Sequence, residues 1–128
     1  MDFQKVPDLS THVLDTTKGA PASGILVHLQ KQFENTFLKI SENITDKDGR
    51  IKQWKNEKQE PMDFLKGEEI ILNTQIYKLT FFVQKYFKDQ GKSSLYPYID
   101  IIFEMNEKEH YHIPLLLNPY GYSTYKGS

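Results

Sequence analysis

Four histidines, His12, His28, His110 and His112, are the first candidates for chemistry in this chain. Imidazole changes charge close to neutral pH, so each can carry a proton or bind a metal. His110 and His112 stand two residues apart. Side chains alternate along a strand, so the pair shares one face of any strand that contains it. With His12 as a third donor they have the ligand type zinc prefers. The plainer reading is surface or hydrogen-bonded histidines, and spacing alone does not specify a metal. There is no cysteine, so neither disulfides nor thiolate metal sites can form. His12 lies in "STHVLD", amid polar and apolar residues. Taken alone, it reads as a structural histidine before it reads as a catalyst.

The stretch "DKDGR" invites a calcium reading. A calcium loop needs glycine at position six and glutamate at twelve. Counted from Asp46, Gly49 is fourth and Glu57 twelfth, so the register is wrong. The stretch reads instead as an Asp-Gly turn that delivers Arg50. Asn43-Ile44-Thr45 has the N-glycosylation pattern, which has meaning only in a secreted protein. There is no Gly-rich phosphate loop and no Gly-x-Ser-x-Gly elbow. The last stretch, "YHIPLLLNPYGYSTYKGS", is aromatic and aliphatic where chain ends are usually polar. Tyr120, Tyr122 and Tyr125 recur through it, and Lys126 adds a cation. It reads either as an edge strand packed on its own sheet or as a strand buried between subunits.

The positioning elements read mainly as strands. "GILVHLQ" sets Ile25, Val27 and Leu29 against His28 and Gln30. "IYKLTFFV" sets Tyr77, Leu79, Phe81 and Val83 opposite Ile76. "YIDIIFEM" alternates Ile99, Ile101, Phe103 and Met105 with Asp100, Ile102 and Glu104. "HYHIPLLL" is a further strand, with Pro114 expected at an edge, a bulge or a non-bonded position. Residues 83–91 have helical spacing at Val83, Tyr86 and Phe87, with Gly91 as the stop. Residues 52–69 are charged, weakly periodic and mostly loop. The class is all-β: a two-sheet β-sandwich of seven to eight strands with one short helix.

A chain of 128 residues suits one domain. Residues 1–8 are expected to form a flexible N-terminal arm and residues 9–128 the domain. The 16 basic and 17 acidic residues balance, so no basic field is available, and neither nucleic acid nor membrane is an expected partner. No signal-peptide pattern and no terminal Ser-Lys-Leu is present, and a cytoplasmic location is expected.

Together "LSTHVLDTTKGAPASGI", "TDKDGR" and "HYHIPLLLNPYGYSTYKGS" resemble the 5-hydroxyisourate hydrolases of the transthyretin-like proteins, over residues 9–128. The resemblance implies a transthyretin-like sandwich assembled as a homotetramer, with active sites in the channel between paired dimers. It implies hydrolytic opening of the 5-hydroxyisourate ring, to 2-oxo-4-hydroxy-4-carboxy-5-ureidoimidazoline, in purine (urate) catabolism. Matched position by position, it places the catalytic residues at His12, Arg50 and His112 and substrate-binding residues at His12, Arg50 and Tyr125. One histidine activates water, with His112 favoured, and the other orients it or protonates the departing nitrogen. Arg50 meets developing negative charge and Tyr125 bounds the ring. No metal and no organic cofactor is called for. One departure stands out: the family usually has arginine where this chain has Lys126, which keeps the charge and loses the planar fork. The competing expectation is a transthyretin-like carrier of a hormone-type ligand without catalysis, since one fold can host both.

Overall fold

A computed structural model of the chain describes residues 3–128. The strands are β1 (Lys5–Val6), β2 (Leu9–Asp15), β3 (Ala20–Pro21), β4 (Leu26–Phe33), β5 (Thr36–Ile44), β6 (Arg50–Ile51), β7 (Asp63–Phe64), β8 (Gln75–Phe82), β9 (Ile99–Met105), β10 (Tyr111–Asn118) and β11 (Gly121–Thr124), and α1 (Gln84–Lys88) follows β8. One sheet runs β5-β4-β8-β9. The facing sheet runs β11-β10-β2-β3, and β6 also pairs with β2. A separate ribbon pairs β1 with β7.

The period-two runs bury the faces their spacing predicts. Val27 and Leu29 of β4, Tyr77, Leu79 and Phe81 of β8, and Ile99 and Met105 of β9 are buried, while Ile102 stays exposed. They meet Val13 of β2 and Leu115 and Leu117 of β10 across the sandwich. Full burial of one such aliphatic or aromatic side chain contributes about 1.5–3 kcal/mol. Helix α1 seats Phe87 in the same core and stops before Gly91, which takes a positive φ of 71°.

The described residues contain eleven strands, more than the seven to eight expected. The surplus comes from the two-residue strands β1, β3, β6 and β7, which are too short to leave an alternation in the sequence. The strand with Pro114 is not an edge: β10 lies between β2 and β11. Its antiparallel ladder to β11 starts only at Leu115, one residue past the proline that lacks an N–H. The segment set apart as an arm is tied down from Lys5 onward, with Val6 buried and paired to Phe64. Residues 52–69 are mostly loop, yet Trp54 within them is buried and donates from Nε1 to the Leu9 carbonyl at 2.8 Å.

Strand pairing decides which side chains meet. Strands β2 and β10 run parallel, with Ser10 opposite His112 and His12 opposite Pro114. Strand β6 is antiparallel to β2 and sets Arg50 opposite His12. Paired residues share a face. Leu9, Thr11, Val13, Ile113 and Leu115 take the buried positions, so Ser10, His12, Arg50 and His112 fall on the outer face of this sheet.

Candidate active site

Arg50 owes its place to the turn before it. Asp46 Oδ1 accepts from the backbone N–H groups of Asp48 and Arg50, both at 2.9 Å, and the Gly49 N–H donates to the Asp46 carbonyl. Gly49 has φ +75°, and a Cβ there would lie 2.4 Å from the Val13 carbonyl oxygen. Only glycine lets the turn approach β2 this closely. Gly49→Ala is therefore expected to destabilise the fold by about 2–4 kcal/mol, through left-handed strain and a backbone clash. A urea titration checks this: the midpoint should fall with the slope unchanged.

His12 and His112 project side by side, with ring centroids 6.5 Å apart and planes at 34°. Burial, then the nearby Arg50 guanidinium, holds His12 below the ordinary histidine value, against the pull of Asp46 and Asp48. Burial also lowers His112, followed by the Arg50 guanidinium and by His12 and His110 whenever those rings carry a proton. Both imidazoles are thus neutral at pH 7 and able to accept a proton. The His112 Nδ1 bonds the Ser10 hydroxyl at 2.8 Å, and among the described residues its Nε2 has no partner.

A cleft of about 340 Å³ opens beside them, lined by Asp8, Ser10, Arg50, Lys52, Phe64, His110, His112 and Ser128. It combines two cations, two imidazoles, the Asp8 carboxylate and one aromatic wall, which suits a small, flat, polar ligand. His12 is not among the lining residues, and its ring centroid lies 6.5 Å from that of His112, which is. Gly127 also packs on His112 and donates its N–H to the His112 carbonyl at 2.7 Å. A Cβ at position 127 would sit 2.7 Å from His112 Cδ2. Gly127→Ala is expected to tilt the imidazole and lower turnover roughly ten- to a hundredfold, since an ångström of misplacement can cost that much. Steady-state kinetics beside an unchanged circular dichroism spectrum would check it.

The single chain brings His12, Arg50 and His112 together and leaves Tyr125 apart. Tyr125 is 57% exposed and lines another hollow, with Ile101, Phe103, Tyr111, Ile113 and Lys126. Lys126 sits over the Tyr111 ring at 4.4 Å. The sequence reading missed Ser10, Lys52 and Phe64. Ser10 is two residues from His12 and Lys52 two from Arg50, so alternation could have flagged both. Nothing flags Phe64, which reaches the cleft from the two-residue strand β7. Among the described residues, no three His, Asp or Glu side chains are grouped to hold a metal ion.

Two facing sheets of this strand order, with a polar cleft on the outer face of one, define a transthyretin-like protein. The HIUase/Transthyretin family model matches residues 9–127, and the chain belongs to that family. It is 38% identical to a probable 5-hydroxyisourate hydrolase of Schizosaccharomyces pombe, over 95% of this chain and 92% of that protein. Among solved structures it is similar to Klebsiella pneumoniae 5-hydroxyisourate hydrolase, with a TM-score of 0.69 at 31% identity over 94% of this chain and 98% of that one. It also shares its fold with sea bream transthyretin in complex with thyroxine, with a TM-score of 0.76 at 23% identity and 94% of each chain covered.

Proposed function

We propose that this protein is a 5-hydroxyisourate hydrolase, opening the ring of its substrate to 2-oxo-4-hydroxy-4-carboxy-5-ureidoimidazoline. The observation that carries the reading is the pair of imidazoles with centroids 6.5 Å apart beside Arg50. Ring opening needs water to lose a proton, a carbonyl to accept the resulting hydroxide, and a C–N bond to break. His112 Nε2 takes the proton from water as oxygen attacks the ring carbonyl. The new C–O bond becomes part of the product carboxylate. Arg50 meets the negative charge that develops on the carbonyl oxygen, with two donors in a fixed plane. His12 orients the water and passes a proton to the departing nitrogen, which leaves as N–H. These steps need no group beyond the chain's own side chains.

Tyr125 fits this scheme in an assembly. The chain leaves apolar side chains exposed at one outer strand of each sheet, with Ile102 on β9 59% exposed and Tyr122 on β11 also open. Exposed edge strands of this kind invite a symmetric partner. A homotetramer would cover them and bring the segment around Tyr125 of one subunit towards the cleft of another. Light scattering tests this. A particle four times the chain's mass is expected, and a stable monomer at assay concentration contradicts it.

A hormone-type carrier calls for a site lined with small and apolar groups. The charged lining here favours the hydrolase. The test is ultraviolet monitoring of freshly made 5-hydroxyisourate. Its absorbance should decay faster with protein than in buffer, in proportion to protein added. Equal decay in both would overturn the reading.

A further inference from the structure

His110 lies next to the catalytic strand position but takes no part in the scheme above. Its Nδ1 lies 2.6 Å from Asp8 Oδ1, and its Nε2 lies 3.2 Å from the Ser10 hydroxyl. The same hydroxyl meets His112 Nδ1 at 2.8 Å. Four side chains thus form one unbroken hydrogen-bonded line, from an exposed carboxylate to the imidazole in the cleft. Two stretches supply it: Asp8 just before β2 with Ser10 in it, and His110 just before β10 with His112 in it. The parallel register that sets Ser10 opposite His112 closes it.

We propose that Asp8, His110 and Ser10 are positioning residues that dictate which nitrogen of His112 carries its hydrogen. The inference rests on the hydrolase reading for its catalytic meaning. Its geometry stands without that reading. An ionised carboxylate can only accept, so His110 Nδ1 must donate to Asp8. Neutral His110 then has only a lone pair at Nε2, and the Ser10 hydroxyl donates to it. The serine oxygen is left to accept, and His112 Nδ1–H donates to it. His112 is thereby held with a bare Nε2, the form a general base requires. A second proton on His110 would leave its bond to Asp8 as it is, reverse both bonds of Ser10 and place the hydrogen of His112 on Nε2. Ser10, nearly enclosed, can serve only as the link, whereas Asp8 and His110 are partly exposed and can be changed without opening the core.

The experiment is nitrogen-15 NMR of histidine-labelled protein at neutral pH, with wild type, Asp8→Asn and His110→Phe, alongside kinetics. Wild-type His112 should show hydrogen on Nδ1. Both variants should show a mixture of tautomers and a kcat lowered about tenfold, a fraction of what general-base catalysis supplies. Hydrogen on Nε2 in wild type, or an unchanged tautomer in both variants, would overturn the relay. A shifted tautomer with unchanged kcat would overturn its part in the reaction. The tautomer is read without substrate. A protein inert toward 5-hydroxyisourate would therefore sink the hydrolase reading and leave the relay standing.

Discussion

Replacing His112 by asparagine is expected to cut kcat by about 10²–10³-fold, within the range a well-placed general base supplies. Asparagine keeps a polar group beside Ser10 and removes the proton acceptor. The corresponding loss is about 2.7–4 kcal/mol of transition-state stabilisation. KM should move little, because the scheme uses His112 on water rather than on the ring. The pH profile gives a second check. A base works when neutral, so kcat/KM falls as the pH drops through the pKa of the free enzyme's base. Burial and then Arg50 push His112 down, so the acid limb should lie below the ordinary histidine value of 6.5. Asparagine cannot titrate, so any acid limb left in that variant belongs to another group, with His12 the first candidate.

Replacing Arg50 by methionine should be as damaging, lowering kcat/KM about 10²–10³-fold, the cost of one preorganised donor to an oxyanion. Arg50 is the chain's only arginine, and among the described residues its guanidinium makes no ion pair. It therefore holds no neighbour in place and is free to meet a ligand. Arg50→Lys should recover part of the rate, since charge returns without the planar fork. The methionine variant has a further signature. Arg50 depresses both His12 and His112. Without it the acid limb should move up toward 6.5, while burial still holds it somewhat below. A limb that stays put would separate Arg50 from the two imidazoles.

The sandwich was readable from alternation in β4, β8 and β9, because each buries one face and leaves the other polar. The four two-residue strands were not readable, because pairing there is set by partners distant in sequence. The candidate trio of His12, Arg50 and His112 came from the resemblance. The pairing then accounts for its proximity: β6 puts Arg50 opposite His12, and β10 puts His112 beside them. Local pattern could not show that His112 meets Ser10, since the register between β2 and β10 joins residues about a hundred positions apart. Phe64 lay outside any pattern, carried by a loop whose anchor is the buried Trp54 and whose edge is the short pairing with β1. Tyr125 was named from the family motif, and one chain alone leaves it away from the imidazoles.

The most direct test of a single centre is a double-mutant cycle on His112→Asn and Arg50→Met, read as kcat/KM for 5-hydroxyisourate. Groups that serve one transition state lose rate together, so the double variant should be little slower than the worse single one. Losses that multiply in full would mean that the two side chains act independently, contradicting the account.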